Sequence, residues 1–173
     1  MKSPGFLIDD FSREDGLSAA GTRWQLFTDQ VMGGLSEGTA RLVNFSGRRS
    51  VRLQGRVSLA NNGGFIQVAL PLEKEGKPFD ASAYRGLRIW ARGNGELYQI
   101  HLRTADAELP WQYYWMGFSA ADAWKRITLP FSKFKPETLE ARLDPGRLTR
   151  VAIAAAGKAF KADVAVSGLE FYR

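Results

Sequence analysis

The sequence predicts an all-β protein, a β-sandwich of the jelly-roll kind with about nine or ten strands and little helix. Three observations carry that expectation. Apolar and polar residues alternate with period two along most of the chain. Glycine, present 18 times, falls between those stretches with Asn and Pro as punctuation. Beyond one or two turns, no stretch keeps the 3.6-residue period of an amphipathic helix.

Taken in order, Ser50 to Gln54 alternates around Val51 and Leu53. Asn61-Asn62-Gly63-Gly64 then reads as a turn, because Asn and Gly tolerate positive φ. Phe65 to Leu70 sets Ile66, Val68 and Leu70 on one side and Gln67 on the other. Leu87 to Arg92 places Leu87, Ile89 and Ala91 on one face, with Arg88, Trp90 and Arg92 opposite. Gly93-Asn94-Gly95 follows, and Asn-Gly suits the two positive-φ positions of a type I′ hairpin turn. A hairpin is therefore expected, its returning strand Leu97 to Arg103 carrying Tyr98, Ile100 and Leu102 on the apolar side and Gln99, His101 and Arg103 on the polar side. Trp111 to Trp115 is a strand with aromatics on both faces: Trp111, Tyr113 and Trp115 on one, Gln112 and Tyr114 on the other. Arg126 to Leu129 stops at Pro130, which has no N–H for a ladder and so marks a strand end or an edge. Glu137 to Leu143 is the helical competitor, one or two turns opened by Pro136 or Thr138. Val151 to Ala154 and Val164 to Val166 read as buried late strands.

The 173 residues fit one domain spanning 1–173, and 45% apolar content suits a packed core. The absence of cysteine excludes disulfides, thiol nucleophiles and cysteine metal sites. A net charge of +6 comes from 24 Lys and Arg scattered among 18 Asp and Glu, with Arg48-Arg49 the densest pair. That scatter argues against nucleic acid as the partner; RNA binding through the basic excess and stacking aromatics would show steep salt dependence. The first apolar run, Phe6-Leu7-Ile8, is far short of a signal-peptide core of about 7–15 residues, and no stretch nears the ~20 of a membrane span. The expected location is the bacterial cytoplasm, or the mitochondrial matrix if a transit peptide has been removed.

Catalytic chemistry finds little footing. His101 is the lone histidine, without a nucleophile elbow or a second metal-ligating His or Cys. Asp9, Asp10, Asp29, Asp80 and Asp106 mostly fall at strand ends and turns, where Asp caps backbone N–H groups. Met32-Gly33-Gly34 and Gly63-Gly64 lack the Lys-Ser/Thr of a phosphate loop. No catalytic residue, resident metal or cofactor is expected, and the protein is read as a binding protein, not an enzyme. One oxygen-rich constellation stands apart: Asp9, Asp10 and Glu170 would hold a structural calcium if the first and last strands lie side by side.

Two binding surfaces are predicted. If both arms of the 87–103 hairpin bury their apolar sides together, Gln67, Arg88, Trp90, Arg92, Gln99, His101, Arg103, Trp111 and Tyr113 share one aromatic-polar face, suited to sugars or a protein hot spot. The loops Asp29 to Ser36 (Asp29, Met32, Gly33, Gly34) and Asn61 to Phe65 (Asn61, Asn62, Phe65) are candidates for protein contact, with Met32 and Phe65 as adaptable anchors.

Four blocks in register resemble a known family. These are Trp24 with Asp29-Gln30-Val31-Met32-Gly33-Gly34-Leu35-Ser36; Gly55-Arg56-Val57-Ser58 through Asn61-Asn62-Gly63-Gly64-Phe65; Phe79-Asp80 through Tyr84-Arg85-Gly86-Leu87 to Arg92-Gly93-Asn94-Gly95 and Tyr98; and Trp124 to Phe134. Together, over roughly 6–172, they resemble the complex I intermediate-associated proteins, assembly factors of respiratory NADH:ubiquinone oxidoreductase. The resemblance implies a galactose-binding-domain-like jelly roll and a non-enzymatic chaperone role on protein subunits of a respiratory complex. It departs in reading Gly-Asn-Gly for Gly-Asp-Gly, which the turn tolerates, and in lacking the N-terminal extension of mitochondrial members, which points to a bacterial relative or a trimmed chain. The alternative is a carbohydrate-binding module using the aromatic-polar face for a glycan.

Overall fold

A computed structural model describes residues 5–173. Twelve strands form two sheets. They are β1 (Phe6–Asp9), β2 (Gln25–Thr28), β3 (Glu37–Phe45), β4 (Arg48–Val57), β5 (Phe65–Pro71), β6 (Gly86–Gly93), β7 (Leu97–Thr104), β8 (Tyr113–Ser119), β9 (Lys125–Pro130), β10 (Lys135–Glu137), β11 (Leu148–Ala156) and β12 (Phe160–Tyr172). The first sheet runs β3-β4-β12-β6-β9 with β1 also on β12; the second runs β10-β8-β7-β11-β5-β2. The β-sandwich is as expected, with more strands. The additional ones are short or, like β3, poorly buried edges whose side chains alternate only weakly between half-buried and exposed.

The predicted inward residues form the core. Val51, Leu53, Ile66, Val68, Leu70, Leu87, Ile89, Ala91, Tyr98, Ile100 and Leu102 are all buried. Phe171 closes one end, stacked on Phe79 at 5.4 Å and on Tyr84 at 5.8 Å. That contact explains why the Phe79 to Leu87 block reads as it does.

Two expectations fail. Glu137 to Leu143 is not helical: the short edge strand β10 ends at Glu137, and Thr138 follows at φ 57°. More consequentially, the strands flanking Asn94 do not form a hairpin. β6 pairs with β12 and β9, whereas β7 pairs with β11 and β8. A type I′ turn needs positive φ at both central residues; here Gly95 takes it, at 86°, and Asn94 does not. Asn94 instead donates from Nδ2 to Lys161 O and accepts from the Tyr98 hydroxyl. The chain turns a corner from one sheet to the other. The β8–β9 link crosses beside it, and Gly93 N and Gly95 N donate to Ala121 O and Ala120 O.

Because Phe171 is fully buried among Phe6, Phe79, Tyr84 and Phe131, Phe171→Ala should cost about 3–5 kcal/mol, the usual range for an emptied aromatic core site. Urea denaturation of the two proteins checks this, and a loss below about 1 kcal/mol would contradict the packing.

Candidate functional site

Asp29 is the hub of one candidate site. It opens a short 3-10 turn, Asp29–Met32, that ends at Gly33 in the left-handed region. Its side chain is fully buried. Oδ1 accepts from Ser36 N; Oδ2 accepts from the Ser36 hydroxyl, Gly64 N and Phe65 N. Burial alone would push this carboxyl up, but the bonds from Ser36, Gly64 and Phe65 outweigh it and hold its pKa below the ordinary value. Gly34 and Gly63 are needed here because a methyl group at either would run into the Asp29 carboxyl. Asn61 adds a bond from Nδ2 to Gly33 O. The two predicted partner loops are thus one carboxylate-centred knot.

The knot holds apolar side chains out in water. Val31 is 76% exposed, and Met32 and Leu35 59% each. Phe65, expected as an exposed anchor, is half-buried instead, because the strand it begins carries it into the sandwich. Beside the tip, the edge strands β2 and β3 leave an open cleft of about 510 Å³, lined in part by Leu26, Val31, Glu37 and Gly38. Val31 and Leu35 belong to the Asp29–Ser36 segment, and their exposure depends on the knot, which no local pattern in the sequence discloses.

The predicted aromatic-polar face does not exist as one surface. Since β6 and β7 lie in different sheets, Arg88, Trp90 and Arg92 face out from one side of the sandwich and Gln67, Gln99, His101, Arg103 and Tyr113 from the other. Trp111 precedes β8 in a turn and is exposed. On the second sheet the outer residues align in rows. One row reads Lys135, Trp115, His101, Ala152, Ala69 and Gln25 across all six strands. The next reads Gly117, Gln99, Ala154, Gln67 and Phe27. Ala69, Ala152 and Ala154 lie on this outer side of the sheet yet are buried among the larger side chains. His101 stacks on Tyr113 at 4.1 Å, and its Nε2 is hydrogen-bonded to the Gln99 side-chain amide at 2.7 Å. Burial pushes the His101 pKa down to about 3, leaving it neutral at physiological pH. Arg150 completes this face opposite Arg103. Its place was legible, since inward Val151, Ile153 and Ala155 put 150, 152 and 154 outward.

On the other sheet Trp90 lies under Arg48, whose guanidinium carbon is 3.9 Å from the ring centroid. Arg52 makes a two-pronged bond to Asp163, Arg88 and Arg126 share Glu170, and Arg92 meets Asp122. Glu170 therefore does not join Asp9 and Asp10. Asp9 accepts from Phe11 N and Trp24 Nε1, and Asp10 caps Ser12 N. The calcium trio does not converge, and among the described residues no group of three His, Cys, Asp or Glu stands within a metal's reach. Nor is any helix among them long and apolar enough to cross a membrane.

The sequence profile of the family described as Complex I intermediate-associated protein 30 matches residues 10–163. Curated proteins yield no match. Among solved structures, the chain is similar to the family 11 carbohydrate-binding module from Clostridium thermocellum in complex with a β-1,3-1,4-mixed-linked tetrasaccharide, at 12% identity and TM-score 0.74, covering 99% of this chain and 97% of that one. It is also similar to the family 30 carbohydrate-binding module of the cellulosomal cellulase Cel9D-Cel44B of Clostridium thermocellum, at 17% identity and TM-score 0.63, covering 86% and 90%. At these identities the likeness is one of fold.

Replacing the hub by Asp29→Asn leaves several donors without their acceptor and should cost about 2–4 kcal/mol near neutral pH. Because the folded pKa is depressed, the carboxylate's contribution is full above its unfolded value near 3.9 and is lost as pH falls through the folded one. The gap between parent and variant in urea midpoints should therefore narrow from about pH 6 to about pH 3. A gap that stays constant would mean the carboxyl is not the anchor.

Proposed function

The chain belongs to the family of complex I intermediate-associated protein 30, and on that footing we propose that it is a non-catalytic binding protein of the complex I assembly-factor kind, working by protein–protein contacts. The observation that carries this reading is the apolar tip Val31, Met32 and Leu35, held out by the buried Asp29 carboxylate. Each such side chain contributes about 1–2 kcal/mol when covered. A tip already ordered by the knot loses little further entropy on binding. Its natural partner is the unburied apolar surface of a subunit not yet in place, met in the bacterial cytoplasm or the mitochondrial matrix. The absence of catalysis is supported by His101, a neutral and nearly buried imidazole that touches an amide and a phenol ring instead of a nucleophile.

A second reading, sugar binding, is favoured by the outer face of the β7–β11 sheet. There half-buried rings and amides stand side by side, on a fold shared with a module in complex with a tetrasaccharide. It uses a different surface from the apolar tip, so the two readings separate by mutation.

The double variant Val31→Asp, Met32→Lys changes exposed side chains, and its stability should stay within about 0.5 kcal/mol of the parent. Affinity recovery of the tagged chain from its host should yield respiratory complex I subunits with the parent and at least about tenfold less with the variant, as expected when a charge meets an apolar contact. Equal recovery would remove the tip from the mechanism; no complex I subunit with either protein would overturn the assembly reading.

A further inference from the structure

Within the sugar-binding reading, on which this inference rests, we propose that the outer face of the β7–β11 sheet selects an oligosaccharide bearing carboxylate groups, with Arg103 and Arg150 as the clamp for one carboxylate. The two arginines stand directly opposite each other on the central strands β7 and β11. Like charges so placed destabilise a strand pair. Each is half-buried, and neither appears in an ion pair among the described residues. Arg103 is aimed by bonds from Nη2 to Leu109 O at 3.0 Å and Ala107 O at 3.4 Å, while its Nε is buried without a partner. The Arg150 guanidinium carbon lies 5.3 Å from the Phe27 ring centroid. Burial, and then the neighbouring Arg150 charge, lower the Arg103 pKa; burial lowers that of Arg150. Both nevertheless remain cationic at neutral pH. The fold therefore keeps two cations together without a counter-ion, which is the arrangement a planar carboxylate relieves by accepting forked hydrogen bonds.

The rest of the face describes the remainder of the ligand. Beyond Arg150 the outer positions of β11 are Ala152 and Ala154, both buried, so a ligand on this face would meet the larger side chains beside them on the neighbouring strands. Half-buried Tyr113 and Trp115 offer ring surface, and Gln25, Gln67 and Gln99 offer amides that both donate to and accept from hydroxyls. A bare anion would use the arginines and leave the rings and amides unused. A neutral glycan would use the rings and amides and leave the charge repulsion in place.

Calorimetric titration of the full chain tests this with three probes: a linear galacturonate tetramer, a β-1,3-1,4-mixed-linked glucose tetrasaccharide and free galacturonate. The uronate tetramer should bind at least about tenfold tighter than the neutral one, weaken as salt rises, and lose about tenfold in Arg150→Gln, the scale of one charge-assisted hydrogen-bonded contact. Tyr113→Ala should weaken both tetramers. Without ligand, Arg150→Gln should melt at or above the parent's temperature because it removes a repulsion, so weaker binding would not reflect a damaged fold. Equal affinity for the two tetramers would overturn the carboxylate clamp while leaving the sugar-binding reading intact. Free galacturonate binding as tightly as its tetramer would overturn the part given to the rings and amides. Absence of binding by all three would overturn this inference and the sugar reading together.

Discussion

Each period-two strand has one apolar face, and the sandwich offers a single interior in which to bury it. Leu87, Ile89 and Ala91 from one sheet and Tyr98, Ile100 and Leu102 from the other meet that interior from opposite sides. The corner at Asn94 follows from this constraint. The chain leaves β6 and must re-enter the same core in the facing sheet, so it turns across the layers instead of folding back beside itself. The Tyr98 hydroxyl fixes the corner by donating to Asn94 Oδ1 and accepting from Asp163 N. Burial pushes that phenol up to about 12, so it remains a protonated donor at any physiological pH.

The residues that carry the family resemblance mostly hold the sandwich's ends and loops. Trp24 donates to the buried Asp9, Asp29 gathers Ser36, Gly64 and Phe65, Phe79 and Tyr84 flank Phe171, and Trp124 donates to Phe45 O and Ser46 O. They are the means of display; what is displayed lies between them. Asp29 and Ser36 do not themselves meet solvent, yet Val31, Met32 and Leu35 are exposed because those two residues pin the loop at both ends. Exposure of the tip is thereby linked to a buried carboxylate several residues away.

Alternation made the facing of nearly every strand legible in the sequence, because a side chain's face depends only on its own strand. It could not tell which sheet a strand joins. Asn-Gly encodes a hairpin when both residues take positive φ, and in this chain Asn94 satisfies its side chain against Lys161 O, 67 residues away, a partner no local pattern discloses. The nine-residue face failed for that reason, although its members point outward as predicted. Gln67, Gln99, His101, Arg103 and Tyr113 stay together because β5, β11, β7 and β8 are neighbours. The calcium trio failed in another way. β1 and β12 do pair, as that reading required, but Leu7 stands opposite Glu170 and Asp9 opposite Leu169, and Glu170 is held by Arg88 and Arg126.

Once separated, the two outer faces turn out to be electrostatically different. On the β4–β12–β6 side, Arg52, Arg88, Arg92 and Arg126 each meet a carboxylate and Arg48 lies on Trp90, so the charge is largely satisfied within the chain. Such an arginine–aromatic layer needs no ligand, and cation–π contacts of about 0.5–2 kcal/mol reward its closed state. On the β7–β11 side the pair Arg103 and Arg150 meets no carboxylate among the described residues, while its neighbours are alanines, amides and rings. An incoming anion would have to break existing pairs on the first face and would find none to break on the second. The basic excess of the composition thus says little about binding until it is divided between the faces, and after that division the smaller cluster is the one with unmet demand.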